Sequence, residues 1–194
     1  KGGTLVSSYF TGMVNETDLL YVGGWPKKLQ ELFGLNVLEI DTYYPDEHNV
    51  IIYNNNAYET KEYNAIIELN EAKELAKYTR DFYENTPAAA VNSYGNGKAF
   101  FIAPRTNNDF LSELYQGIIK EKHLQNDLVI KGHKEVSVQK RVGNEYNYYF
   151  VMNFSTEINE ITLEREMLDM ETGLMCPKKL SLDKFEVKIL REQK

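Results

Sequence analysis

SYFTGMVNETDLLYVGGWP, residues 8–26, is the stretch on which the reading of the chain turns. It continues the run Thr4-Leu5-Val6-Ser7-Ser8-Tyr9-Phe10, whose branched and aromatic residues favour a strand, opened by Gly2-Gly3. Thr11-Gly12 follows, then an acidic loop, Asn15-Glu16-Thr17-Asp18, then Gly23-Gly24-Trp25-Pro26. Polar groups and an exposed aromatic at a strand end mark a candidate site. The stretch holds no catalytic set, so the rest of the chain decides between chemistry, a contact surface and a turn.

The 194 residues suffice for one large domain, or for a medium domain with a small one beside it. Hydrophobic residues at 42% and charged residues at 26% are ordinary for a globular protein. Fourteen Tyr and nine Phe against one Trp indicate Tyr-rich β-structure, with wet interfaces or sugar contacts as the functional counterpart. The net charge of −7, with no block of Lys and Arg, argues against nucleic acid and against an anionic membrane surface. One cysteine, Cys176, excludes an internal disulfide and fits a reducing, cytoplasmic setting. No segment reads as a signal peptide or a membrane span. The opening Lys1-Gly2-Gly3, without an initiator Met, reads as a fragment or a processed product.

Outward from the opening stretch, strand and helix patterns alternate. Residues 25–33, WPKKLQELF, predict a helix with Pro in its first turn, Leu29, Leu32 and Phe33 on one side and Gly34 as the stop. Val37 to Tyr43, Val50 to Tyr53 and Ala65 to Leu69 are strand candidates, with 43–49 and Asn54-Asn55-Asn56 as loops. Residues 71–83, EAKELAKYTRDFY, favour helix by propensity, yet they stand next to a clear hairpin, PAAAVNSYGNGKAFFIAP, that turns at Tyr94-Gly95-Asn96-Gly97. Residues 107–124 predict the best helix, with Phe110, Leu111, Leu114, Tyr115, Ile118 and Ile119 on one stripe. After Gln125-Asn126-Asp127 the texture changes to short strands at 136–142, 146–154, 160–163 and 185–190, the pattern of a small β-sandwich. A boundary near residue 130 gives domains 1–130 and 131–194.

Catalytic constellations are absent from the pattern. Cys176 sits in Met175-Cys176-Pro177 without a Gly-rich elbow, and His48, His123 and His133 lack the paired spacing of a zinc site. No phosphate-cradling glycine loop is present, so the sequence implies no metal, no cofactor and no catalytic residue. Asn70-Glu71 after a strand imitates the acid/base pair of retaining glycosidases. That role needs a second carboxylate about 5–5.5 Å away and a barrel of about 250 residues. Asn15-Glu16-Thr17 and Asn153-Phe154-Ser155 match the N-glycosylation pattern, which chance explains in this context.

GGTLVSSYFTGMVNETDLLYVGGWPKKLQELFG, residues 2–34, resembles the middle domain of family 42 glycoside hydrolases, the bacterial β-galactosidases. Asp81-Phe82-Tyr83, Thr86-Pro87-Ala88 and Asn92-Ser93-Tyr94-Gly95-Asn96-Gly97-Lys98 resemble the same family's following hairpin, and this likeness makes residues 74–80 a strand in spite of their helix propensity. The tail continues the likeness in Tyr148 to Ser155, in Leu168-Asp169-Met170-Glu171-Thr172-Gly173 and in Leu180 to Leu190, where Lys184 replaces the family's Pro.

The resemblance implies a partial flavodoxin-like or amidotransferase-like α/β domain followed by a small antiparallel β-sandwich. Gly2-Gly3-Thr4 would fall after the first β and α elements of that α/β domain. It implies a parent that hydrolyses terminal β-D-galactosides by a retaining two-glutamate mechanism in a barrel absent from these residues, and that assembles as a homotrimer. On this reading Tyr9, Phe10, Asn15, Glu16, Asp18, Trp25 and Pro26 are subunit-contact or active-site-rim residues, and this stretch alone is inactive. Two other classes stand beside it. One is a carbohydrate-binding module using Tyr146, Tyr148 and Tyr149; there Tyr146, Tyr148 and Phe150 alternate onto one strand face and Tyr149 onto the other, so one face must be core. The second, a stand-alone amidotransferase-like hydrolase, lacks a placed Cys, His and Glu.

Overall fold

The computed structural model describes residues 2–124, 128, 130–131 and 135–194. It falls into two compact units, residues 1–121 and 122–194. Gln125-Asn126-Asp127 and His133, singled out in the sequence, lie outside the described residues.

In the first unit β1 (Thr4–Ser8) is followed by a 3-10 turn at Lys27–Leu29 and a single-turn α1 (Gln30–Phe33). Strands β2 (Leu35–Thr42), β3 (Asn49–Tyr53), β4 (Asn56–Leu69), β5 (Lys73–Tyr78), β6 (Pro87–Tyr94), β7 (Gly97–Ile102) and β8 (Pro104–Thr106) come next, then α2 (Asn108–Glu121). They form one sheet in the order β1-β7-β6-β5-β3-β4-β2, with β8 on β4. The apolar runs of β6 and β7 are buried on both faces, as continuous rather than alternating hydrophobicity requires. Ala88, Ala89, Phe100 and Ile102 join Ile51, Tyr53, Tyr58, Tyr78 and the buried stripe of α2, Phe110, Leu114 and Ile118. Ala90, Ala99, Phe101 and Ala103 join Trp25, Phe33, Leu35, Val37, Ala65 and Ile67 in a separate cluster.

The α/β expectation is corrected here to a mostly-β unit. Among the described strands only β1 and β7 pair in parallel, while every other pairing in this sheet is antiparallel. Three local choices account for the difference. The helix expected over residues 25–33 shrinks because Trp25 is drawn into a backbone bridge with Val37, at 3.2 and 2.6 Å. The turn that remains ends at Gly34, whose φ of 63° is left-handed. A side chain at Gly34 would meet Ala72 N at 2.7 Å and the Asn92 amide at 2.8 Å. Within residues 71–83 the strand expected over 74–80 forms against helix propensity: β5 lies between β3 and β6 and buries Ala76 and Tyr78. The Tyr78 hydroxyl donates to Ala65 O at 3.0 Å. Finally, Asn54 and Asn55 form a two-residue hairpin closed by Tyr53 and Asn56, both at positive φ (49° and 66°), as the primed turn demands and Asn tolerates.

That turn is tied to α2. The amides of Asn54 and Asn56 donate to the Glu113 carboxylate at 2.9 and 3.1 Å, and the Tyr58 hydroxyl donates to it as well. Tyr53 and Tyr58 meet the ring of Phe110 edge-on at 5.4 and 5.6 Å between centroids.

The second unit contains β9 (Ile130–Lys131), β10 (Val136–Val142), β11 (Tyr146–Asn153), β12 (Asn159–Leu163), β13 (Met167–Asp169), β14 (Met175–Cys176), β15 (Lys179–Leu182) and β16 (Val187–Gln193). A sheet in the order β10-β11-β16-β13-β14 and a three-stranded one, β15-β12-β9, share a core of Val136, Tyr149, Val151, Ile161, Leu163, Met167, Leu180, Leu182 and Leu190. This is a β-sandwich. The strand pleat sends Tyr149 into it, leaving Tyr146, Tyr148 and Phe150 half-buried on the other face of β11.

Asn153-Phe154-Ser155 is an internal polar knot. Asn153 Nδ2 donates to the carbonyls of Glu157 and Asp183 at 2.8 and 2.9 Å. Its Oδ1 accepts from Ser155 N, Ser155 Oγ and Asn159 Nδ2 at 3.0, 3.0 and 2.8 Å. With Asn153, Ser155 and Asn159 all buried, this sequence is a structural element and not a glycan acceptor. At the other end of β11 the Tyr149 hydroxyl donates to Glu192 at 3.0 Å, and the Arg165 guanidinium donates to the same carboxylate at 2.9 Å.

Two outcomes follow from these networks. Asn153→Ala leaves buried donors and acceptors unpaired and should destabilise the second unit by about 2–3 kcal/mol, read as a lower urea midpoint for the intact protein. The Glu192 carboxyl is held below its ordinary 4.5 chiefly by the hydrogen bond from Arg165. A depressed carboxyl contributes stability above its unfolded pKa and loses it as pH falls through the folded pKa. Glu192→Gln should therefore cost about 0.5–1 kcal/mol near neutral pH, the range for a partly exposed pair. The gap from the parent sequence should close as pH drops below 4.5, read by urea unfolding at a series of pH values.

Candidate functional site

The opening stretch folds as a rooted loop. After β1 the backbone turns with Thr11 N donating to Ser8 O at 2.9 Å, and the hydroxyls of Ser7 and Thr11 are in contact. Residues 13–21 form a narrow ladder: Asn15 N to Leu19 O at 2.9 Å, Tyr21 N to Met13 O at 3.1 Å, and a bridge between Val14 and Leu20. The Asn15 side chain organises its tip. Its Oδ1 accepts from Thr17 N, Thr17 Oγ1 and Leu19 N at 2.9, 2.9 and 3.0 Å. Asp18 takes the left-handed conformation (φ 59°) that closes the turn. Glu16 and Lys28 face each other at 3.6 Å, both exposed. The Glu16 carboxyl is lowered first by its own backbone N–H and then by Lys28.

The root is aromatic. Trp25 is only 5% exposed: its indole N–H donates to Tyr9 O at 2.8 Å and its ring joins the Phe33, Leu35 and Val37 cluster. Pro26 is buried beside it. Tyr9 and Phe10 close on Tyr63 at 5.6 and 5.1 Å between centroids, a partner that no sequence spacing announced. Gly24 is obligatory here, since a side chain on it would meet the Asn36 amide and Val37 O at 2.6 Å.

The seven sequence-marked residues thus divide. Tyr9, Trp25 and Pro26 anchor the loop; Asn15 shapes its tip; Phe10, Glu16 and Asp18 are exposed. The outer surface also carries apolar residues that sequence reasoning missed: Val22 at 93% exposure, Leu19 at 64%, and Leu20 and Val14 near half. Their signal was available in the run Leu19-Leu20-Tyr21-Val22, whose apolar character has no place in a solvated acidic loop.

Elsewhere the chemistry is sparse. Glu71 is exposed, its N–H bonded to Gly34 O at 3.1 Å. Cys176 is buried, and burial pushes its thiol pKa up, which leaves it unreactive. Among the described residues no three His, Cys, Asp or Glu gather as a metal site, and no helix is long and apolar enough to cross a membrane. In the β-sandwich, Tyr149 is 1% exposed and the Arg191 guanidinium covers the Tyr146 ring at 4.3 Å. Of the tyrosines considered for sugar stacking, one is core and another has a ring face taken.

Residues 1–125 match the family model described as the beta-galactosidase trimerisation domain, and residues 135–192 that of the beta-galactosidase C-terminal domain. The chain belongs to the family 42 β-galactosidases. It is 40% identical to beta-galactosidase GanA of Bacillus subtilis over 97% of its own length and 28% of the relative's. Among solved structures it is similar to Gan42B, a GH42 beta-galactosidase from G. stearothermophilus, at a TM-score of 0.85 and 39% identity, covering 100% of its own length and 28% of the other's. A beta-galactosidase from Bacillus circulans sp. alkalophilus gives 0.84 at 30% identity, with 98% and 29% covered. This family 42 sequence therefore spans less than a third of the length of these relatives, and corresponds to their C-terminal region.

Trp25 is the only tryptophan, so its fluorescence reports the root of the loop directly. Native emission should be blue-shifted and poorly quenched by iodide. Trp25→Ala should cost about 3–5 kcal/mol, measured by urea unfolding followed by circular dichroism.

Proposed function

We propose that the protein is the assembly and C-terminal region of a bacterial, cytoplasmic β-galactosidase, one that cleaves terminal β-D-galactosides by a retaining two-glutamate mechanism in a barrel outside these residues. The observation that carries the reading is the succession of a trimerisation-domain match and a C-terminal-domain match along nearly the whole sequence. Domains 1–130 and 131–194 are its two parts. The first is the remainder of an amidotransferase-like domain, present here as a mostly-β unit, a reading supported by the parallel pair β1 and β7 and by the helix α2 that follows. Neither domain supplies catalytic residues. The fold alone implies no amidotransferase activity, since a fold does not fix a function.

Assembly is as a homotrimer, with the loop of residues 10–22 as subunit contact and active-site rim. An apolar tip held in shape by Asn15 and rooted through Trp25 suits that role: it is preorganised, so little ordering entropy is lost on contact. Size-exclusion chromatography with light scattering on the intact protein tests this. A mass near three times 22.5 kDa, falling to one copy in the double variant Leu20→Asp, Val22→Lys, is expected. A monomeric parent protein, or a trimer indifferent to that variant, would sink the contact role of the loop. No galactoside turnover is expected from either protein.

A further inference from the structure

The turn between β6 and β7 carries the protein's one Asn-Gly pair, Asn96-Gly97. Asn96 is exposed at the tip, between glycines that leave both neighbouring peptide groups without a shielding side chain. No hydrogen bond holds its carboxamide among the described residues, whereas the amides of Asn54 and Asn56 at the other tight turn are both bound to Glu113. We propose that Asn96 is a self-modifying position, converted without an enzyme to aspartate and isoaspartate, and that the isoaspartate form loosens β1.

The chemistry needs only water and hydroxide. Hydroxide removes the Gly97 N–H proton, and that nitrogen attacks Asn96 Cγ. The new C–N bond closes a five-membered imide as the bond from Cγ to Nδ2 breaks, and ammonia leaves with a proton from water. Water then opens the imide. Attack at Cγ restores the ordinary backbone with aspartate at position 96, while attack at the backbone carbonyl of residue 96 routes the backbone through Cβ and Cγ as isoaspartate. Pairing of Tyr94 with Gly97 restrains the attack, so the folded protein reacts more slowly than an open peptide.

Position 96 matters because its turn is clamped on the start of β1. A Cβ on Gly97 would lie 2.6 Å from Gly3 O, and one on Gly2 would lie 3.3 Å from Asn96 O. Lys98 N donates to Gly3 O at 3.1 Å, and the parallel register begins next door at Thr4 and Lys98. Isoaspartate adds a methylene to the backbone immediately before Gly97, which lengthens the turn at the point where Gly97 and Lys98 are held against Gly3. Aspartate adds the same charge without the extra length.

The test is to hold the intact protein at mildly alkaline pH and follow residue 96 by peptide mapping, with isoaspartyl methyltransferase labelling to tell the two products apart. The expected result is a mass gain corresponding to NH2 replaced by OH at Asn96, at a rate proportional to hydroxide, split into two isomers and absent in Asn96→Gln. In the isoaspartate fraction the amides of Thr4–Ser8 should exchange with solvent about tenfold faster than in the parent protein, while Asn96→Asp leaves them unchanged. Conversion in the urea-unfolded protein but none in the folded one would overturn the modification site. Conversion with unaltered exchange in β1, or equal loosening in Asn96→Asp, would overturn its consequence.

Discussion

Strands β6 and β7 carry small and aromatic residues that are buried on both sides of one sheet, and the first unit is arranged around covering those two faces. On one side α2 supplies Phe110, Leu114 and Ile118. On the other the cover comes from the short turn of α1 and from the root of the loop, Phe33 and Trp25. Ala89 shares its buried cluster with Phe100 and Phe110, and Ala90 and Ala99 share theirs with Trp25, Phe33 and Phe101, a mix of small and large side chains that suits a close-packed interior. The candidate site therefore belongs to the core by its base, since Trp25 closes one face of the sheet while its indole N–H fixes the backbone at Tyr9.

What could be read from residues alone was whatever periodicity or turn chemistry encodes locally. The amphipathic stripe of α2, the hairpin at Tyr94 to Gly97 and the longer strands of the sandwich follow from such signals. The extent of helix over 25–33 did not, because the bridge from Trp25 to Val37 is a long-range event that no local propensity describes. In residues 71–83 Lys, Glu and Ala favour a helix, so the strand over 74–80 was legible only through the family resemblance, and two neighbouring strands impose it. The short strands β13, β14 and β15, of two to four residues, are too brief for an alternation to register.

At the site, the residue types were legible and their roles were not. Trp25 reads in sequence as the start of a helix and as a contact or rim residue. Its burial depends on Tyr9 O and on β2, which lie elsewhere in the sequence. Likewise the tyrosines of β11 could be assigned to alternating faces, but which face is core is decided by Leu163, Leu180 and Leu190 on partner strands. Even the sequon at Asn153 became interpretable only once β12 and the β15–β16 turn were seen to meet around it.

The exposed tip sets a quantitative condition on the assembly reading. Burying Val14, Leu19, Leu20 and Val22 completely would contribute at most roughly 6–12 kcal/mol, at about 1.5–3 per side chain. Association itself costs about 4–15 kcal/mol in lost freedom. The loop's contribution is thus of the same size as that cost, so a stable contact calls for further buried area. A closed ring changes the balance, because each subunit in a cyclic trimer makes two contacts, and a third copy joins both of its neighbours at once. The rigid root adds to this by removing most of the ordering cost before contact. An anchored apolar tip of this size therefore fits a surface that works as one part of a cyclic interface, with further area supplied by other surfaces of the subunits.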